Sequence, residues 1–260
     1  MMKSFPSLLA AMLVLGLSAC GGSGSGSGSD TPPPGGGGNT VSAPTSASST
    51  AEMMAFAQDG GTVETRIPYT YWSGSEDGPL SRTTRTVSID GRPVTVTMDS
   101  TSDGHVGAVI LERNGRRIYR MNEDAPVVAD APDGLYVGRA QGTYRIDADS
   151  TEVHGVGDMT VTLDSASGKA LYGTMVSAPD GSSSVEAYGD ATYANGRFTH
   201  NGAEAVTRVN GAVNSRETVN VTGSVIGTRA NNAVAGTMRG ANASTGFVYN
   251  GNFMAGNHPK

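Results

Sequence analysis

Cysteine occurs once, at Cys20, so the chain cannot close an internal disulfide. Lysine is nearly absent, with Lys3, Lys169 and Lys260 the only three, and arginine carries almost all the positive charge. Acidic residues outnumber basic ones, 24 to 18, for a formal net charge of −6 at pH 7. No basic excess exists to neutralise phosphates, which argues against a nucleic-acid partner. Aromatic residues are 6% and hydrophobic residues 37%, both low for a chain of 260. The apolar run Leu8 to Leu17 spans only about ten residues, and a transmembrane helix needs about 20.

The signatures of several chemistries are missing as well. His105, His154, His200 and His258 show no metal-ligand spacing, and no cysteine lies near them, so neither a metal site nor a cofactor is expected. No G-x-S-x-G elbow is present. Gly155-Val156-Gly157 sits inside a strand pattern instead of a strand-to-helix turn, which removes it as a phosphate loop. Glu152, Asp158 and Asp164 fall on an outward strand face, where solvated carboxylates are the default. No catalytic residue is assigned, and a non-enzyme is expected.

What the chain has in abundance is glycine, 37 residues, together with Ser, Thr, Ala and Val. Glycine and β-branched residues are poor helix formers, so the composition predicts an all-β fold. At the N-terminus, Lys3 precedes the apolar run, which ends in Leu17-Ser18-Ala19-Cys20-Gly21. This resembles the bacterial lipobox, and the resemblance implies acylation of Cys20 after cleavage of a signal peptide over residues 1–19. Gly21 in place of Asp directly after the cysteine implies export to the outer membrane, with cell-surface display expected and the periplasmic face the alternative. Residues 20–50 alternate Gly and Ser, then carry Thr31-Pro32-Pro33-Pro34-Gly35 and a Ser/Thr/Ala stretch. That composition predicts a disordered tether whose average reach is about 30 Å, at ~5–6 Å × √n.

Residues 51–130 are expected to form a smaller β-rich unit, with a helical turn at Met53 to Gln58. An aromatic cluster at Tyr69, Tyr71 and Trp72 reads as core packing before binding anchor. Asp90-Gly91 and Asn114-Gly115 mark two hairpins. Between them His105 to Arg113 is apolar on both faces, with Val106, Ala108 and Ile110 opposite Gly107, Val109 and Leu111, which predicts a central strand. Arg113, Arg116, Arg117 and Arg120 cluster around the second hairpin tip; a solvated turn is the simplest reading, a binding patch the alternative.

Residues 131–260 read as eight antiparallel strands with period-two alternation. Tyr136, Gly138, Ala140, Gly142, Tyr144 and Ile146 share one face, and Val153, Gly155, Gly157, Met159, Val161 and Leu163 another. The Lys169–Ser177 strand includes Leu171, Gly173 and Met175. Val185, Ala187, Gly189, Ala191 and Tyr193 follow, then a strand anchored by Phe198. Val219, Val221, Gly223, Val225 and Gly227, then Val234, Gly236 and Met238, and finally Phe247, Tyr249, Gly251 and Phe253 complete the set. Outward positions carry Arg, Asp, Glu, Gln and Thr, the inverse of a membrane-spanning barrel. The expectation is a soluble eight-stranded barrel with a filled interior, a β-sandwich being the structural competitor.

Val221 to Ala230, followed by Val234 to Met238, resembles the closing motif of the barrel of transferrin-binding protein B and of related surface lipoproteins such as factor H binding protein. Gly223, Gly227, Ala230 and Gly236 match; Val225, Ile226, Thr228 and Ala233 depart from it. The resemblance implies a surface-exposed, non-catalytic binding module held to the membrane by its N-terminal lipid, with a protein or an iron- or haem-related ligand and a handle-like unit before the barrel. It assigns no ligand-binding residue. Two other functions fit the sequence: a lipocalin-like carrier of a small apolar ligand, and a structural envelope lipoprotein.

Overall fold

Two-residue turns set the topology. Asn114-Gly115, Asn195-Gly196 and Asn210-Gly211 each place both residues at positive φ, between 48° and 80°. That is the type I′ geometry, whose twist matches the strands it joins. In the computed structural model the described residues are 63–71, 74–89 and 91–258, with side chains described from residue 80 onward except 89. The signal segment, Cys20, the tether, the Met53–Gln58 turn and the Tyr69, Tyr71 and Trp72 side chains lie outside them.

All thirteen described elements are strands. The first five are β1 (Val63–Tyr71), β2 (Gly74–Ile89), β3 (Arg92–Thr101), β4 (Val106–Arg113) and β5 (Arg116–Met121). They form an antiparallel sheet in sequential order, with β4 paired on both sides as its two-faced pattern predicts. The other eight are β6 (Gly134–Arg145), β7 (Val153–Asp164), β8 (Lys169–Ser177), β9 (Ser183–Ala194), β10 (Arg197–Val209), β11 (Ala212–Gly227), β12 (Asn232–Asn242) and β13 (Phe247–Asn257). They close into a barrel, β13 pairing with β6 and β9 with β10. The expected all-β barrel is therefore present, and the sandwich alternative is excluded by the closure.

The barrel interior is solid. Tyr136, Tyr144, Phe198, Phe247, Tyr249 and Phe253 are each no more than 2% exposed. Several lie flat across inward glycines. A Cβ on Gly223 would meet Phe198 Cζ at 2.3 Å, and one on Gly236 would meet Phe253 Cζ at 2.2 Å. Those rings stack on each other at 6.3 Å, and Tyr144 stacks on Tyr249 at 6.5 Å. Glycine is thus required here as the floor on which a neighbouring ring rests. The segment between β5 and β6 crosses one end of the barrel. Val128 donates its N–H to Val225 O at 2.9 Å, and Val128 and Ala131 join the core.

Three expectations are corrected. On β8 the inward residues are Ala170, Tyr172 and Val176, while Leu171 and Met175 are about half exposed. Register decides this: Tyr172 pairs with inward Val161, and cross-strand partners share a face. On β4, Gly107 is an extra residue between the pairs Asp99–Ala108 and Ser100–Val106. This bulge moves Val106 to the side of Val109 and leaves Ala108 facing the barrel. Only glycine fits there, since a Cβ would lie 2.7 Å from Ala235 Cβ and Ile226 Cδ1. Finally, the outer barrel wall is not polar throughout. Ala233, Ala235 and Met254 point outward and are buried against Leu80 and Ala108 of the sheet.

Candidate functional site

The seam between sheet and barrel is polar at its centre. Arg82 donates to both carboxylate oxygens of Asp99, at 2.7 and 2.8 Å, and to Gln141 Oε1 of β6 at 2.9 Å. Gln141 in turn donates to Asn252 Oδ1 of β13 at 3.2 Å. Asn252 donates to the Val109 and Arg120 carbonyls at 2.9 and 2.8 Å. Burial disfavours the Arg82 charge, but the Asp99 carboxylate outweighs it and holds the guanidinium above its ordinary pKa. Neighbouring Arg139 is lowered instead, by burial and by the Arg82 charge. A charge pair and two amides in one chain fix how the sheet lies on the wall, because a misplacement would strand buried polar groups.

Beyond this network the seam opens. A cleft of about 420 Å³ lies between the β4–β5 hairpin and the barrel. Arg116, Arg117 and Ile118 of β5 form one side; Thr143, Arg145, Val248 and Asn250 of the barrel form another. Ser150 and Glu152, from the β6–β7 connection, complete it. A second cleft of about 540 Å³, lined by Leu111, Arg113 and Val94, adjoins at Arg116 and Ile118. A third, about 360 Å³, lies between Arg120 and Arg239.

Arg117 binds Glu112 at 2.6 Å, and that carboxylate raises its pKa against the effect of desolvation. Arg145 donates to Gly246 O at 3.1 Å. Arg113 and Arg116 are exposed, with no carboxylate partner among the described residues. Two apolar side chains stand open in the cleft, Ile118 at 44% and Val248 at 38% exposure. Thr143, which lines it, has its hydroxyl 2.9 Å from His154 Nδ1, and the buried Tyr119 hydroxyl lies 3.4 Å from the same nitrogen. The Asn250 Oδ1 acceptor lies buried at the rim with no hydrogen-bond partner. Guanidinium groups around apolar side chains suit a carboxylate-bearing ligand with a small hydrophobic group.

The arginine cluster was legible at the hairpin, and the structure brings Arg113, Arg116 and Arg117 to adjoining clefts, with Arg120 in the next one. Arg145, Arg239 and Glu152 had no local signal; barrel closure alone brings them there. The family-motif residues lie elsewhere. Gly223 and Gly236 face the interior beneath aromatic rings. Gly227, at φ 104°, ends β11, and Ala230 is exposed in the turn before β12. Leu17, Ser18, Ala19 and Cys20 fall outside the described residues. No group of three or more His, Cys, Asp or Glu placed to hold a metal occurs among the described residues.

No protein-family model matches the chain, and no curated protein matches it in sequence. Among solved structures it is similar to a transferrin-binding protein B double mutant from Haemophilus parasuis, at 13% identity and a TM-score of 0.47, over 75% of this chain and 41% of the other. It is likewise similar to the isotype 1 transferrin-binding protein B of serogroup B Neisseria meningitidis, at 15% identity and a TM-score of 0.46, over 67% of this chain and 36% of the other. The chain therefore spans well under half the length of these proteins.

Proposed function

We propose that this chain is an outer-membrane lipoprotein whose folded part is a non-catalytic binding module for a protein ligand, engaged at the arginine-walled seam. Cys20, within Leu17-Ser18-Ala19-Cys20, is the lipidation point, and residues 21–50 hold residues 63–258 off the membrane. Sheet β1–β5 serves as the handle and β6–β13 as its support. The observation that carries the reading is the open cleft between hairpin β4–β5 and the barrel, where exposed Arg116 stands beside exposed Ile118. A carrier of a small ligand is less well supported, because aromatic rings occupy the interior where such a ligand would sit. Iron- or haem-carrying proteins are the ligand class that the sequence resemblance implies.

Two measurements test this. Cys20→Ala should move the protein from the membrane pellet to the soluble fraction; an unchanged pellet sinks the lipid anchor. Intact protein in detergent should capture a protein partner from the surroundings of the producing cells, and the Arg113→Ala, Arg116→Ala double variant should lose it. Capture that survives the double variant moves the site away from the seam.

A further inference from the structure

Exposed apolar side chains are gathered on this molecule, not scattered. Among the described residues seven large ones stand open, and four of them, Val156, Leu171, Met175 and Tyr188, lie on the neighbouring strands β7, β8 and β9. Register sets the last three on one outward face. Tyr188 is directly opposite Gly173, and Leu171 and Met175 stand two residues to either side of that glycine. At about 3.3 Å per residue, Leu171 and Met175 are about 13 Å apart, with the Tyr188 ring beside the gap between them. The sheet packs on β6, β12 and β13, which leaves β8 and β9 uncovered, and Tyr188 is 57% exposed. A contiguous apolar cluster with a polar rim marks an interaction surface.

The rim is acidic. Met175 sits between Asp158 and Glu186, and Leu171 between Thr162 and Asp190. The cations that border the wall are each taken up: Arg139 stands across from Asp158, Lys169 reaches Asp190 at 3.2 Å, and Arg208 reaches Glu186 at 2.6 Å. With Asp164 further along β7, carboxylates outnumber cations there. The seam has the opposite sign. Arg113, Arg116 and Arg120 are exposed around its clefts, Glu112 is bound by Arg117, and Glu152 is the carboxylate that lines the first cleft. Ile118 and Val248 stand open in it. One apolar centre is thus rimmed by acid on a convex wall, and the other by guanidinium groups at a cleft. Wall against wall would set Asp158, Glu186 and Asp190 against their own kind, which like-charge repulsion disfavours.

We propose that the seam takes a second copy of this chain, the β7–β9 wall of one copy docking on the arginine-walled seam of the next. Leu171, Met175 and Tyr188 meet Ile118 and Val248, and Asp158 and Asp190 face Arg113 and Arg116. This deepens the proposed binding function by naming a partner for that site, and it rests on that reading. The contact is heterologous, so every docked pair keeps one wall and one seam free, and further copies extend a row or close a ring.

The test is sedimentation velocity on the full chain in detergent, up to about 100 μM, where a weak interface should be populated. The parent should grow beyond a dimer as its concentration rises, and added salt should reverse the growth. Tyr188→Ala should weaken association on the order of 30-fold, and the Arg113→Ala, Arg116→Ala double variant about tenfold. Mixing the two variants decides the geometry. Each supplies the surface the other lacks, so together they should form dimers that grow no further, which also shows that both are folded. Three results overturn the proposal: a parent that stays monomeric, a variant that associates as well as the parent, or a mixture that stays monomeric. If the parent is monomeric and still captures another protein through Arg113 and Arg116, the broader function stands while the second copy falls as its partner.

Discussion

The barrel and the sheet use the same strand chemistry to opposite ends. The barrel joins every strand on both sides and fills its inside with rings laid over glycines, so it has no strand edge and its interior is occupied by side chains. The sheet ends at β1 and β5, neither of them paired with a further strand among the described residues, and one face borrows its burial from the barrel wall. Closure makes a rigid support, and the open sheet presents groups to the outside. The exposed arginines Arg113, Arg116 and Arg120 are accordingly on the sheet, and the barrel wall supports the face behind them.

The largest effect that would sharpen this contrast lies inside the barrel. Gly236→Ala places a Cβ 2.2 Å from both the Thr222 carbonyl oxygen and the Phe253 ring. Overpacking against backbone should cost about 3 kcal/mol or more, read as a lowered denaturant midpoint with the barrel unfolding as a unit. Outward-facing Gly173 has only Thr160 Oγ1 near, at 3.5 Å, so Gly173→Ala should stay within about 0.5 kcal/mol of the parent. Equal losses for the two variants would mean that the rings do not need their glycine floors.

Next comes the seam. Asp99→Ala leaves the Arg82 guanidinium buried without its carboxylate and should cost about 3 kcal/mol. Hydrogen exchange should quicken across β2–β5 while the barrel amides keep their protection. Uniform acceleration in both regions would show that sheet and barrel unfold as one.

Alkali should act on the barrel. Burial raises the pKa of Tyr136, Tyr144, Tyr193 and Tyr249, and pushes Tyr172 up to about 12. An unfolded tyrosine ionises near pH 10. With the folded-state pKa above the unfolded one, the native state holds its phenolic protons more tightly. The stabilisation is thus complete below about pH 10 and is lost as pH rises through the folded-state value near 12. Tyr172→Phe carries no proton to lose and should flatten the fall in stability over that window. A variant that falls as steeply as the parent would show that Tyr172 is not among the groups responsible. The smallest effect is at the surface: Asp190→Ala removes an exposed pair with Lys169 and should change stability by less than about 1 kcal/mol.

The barrel was legible because each of its devices is local. Alternation shows in Tyr136 to Tyr144, and Asn-Gly turns show in two adjacent letters. β8 resisted because Leu171 and Met175 look as apolar as Tyr172 and Val176; only pairing with Val161 decides which side is inside. The bulge at Gly107 resisted for a related reason, since one unpaired residue leaves no trace in composition. The seam was half legible. Four arginines announced themselves around one hairpin, but Arg145 and Gln141 reach it only through the register of β6 against β13. Ala233, Ala235 and Met254 look like surface residues until a sheet covers them.

Strand β13 has a consequence for how the molecule is made. It pairs with β12 on one side and with β6 on the other, and its outward residues Asn252 and Met254 anchor the sheet. Until residues 247–257 are in place, β6 and β12 both lie open and the sheet lacks its principal foothold. A chain emerging in order, N-terminus first, therefore cannot present its arginine hairpin in a fixed position before this strand arrives. This last strand is also the assembly's checkpoint: chains halted short of it leave β6 and β12 each unpaired on one side, besides the sheet's own margins at β1 and β5, and should be held by chaperones or degraded.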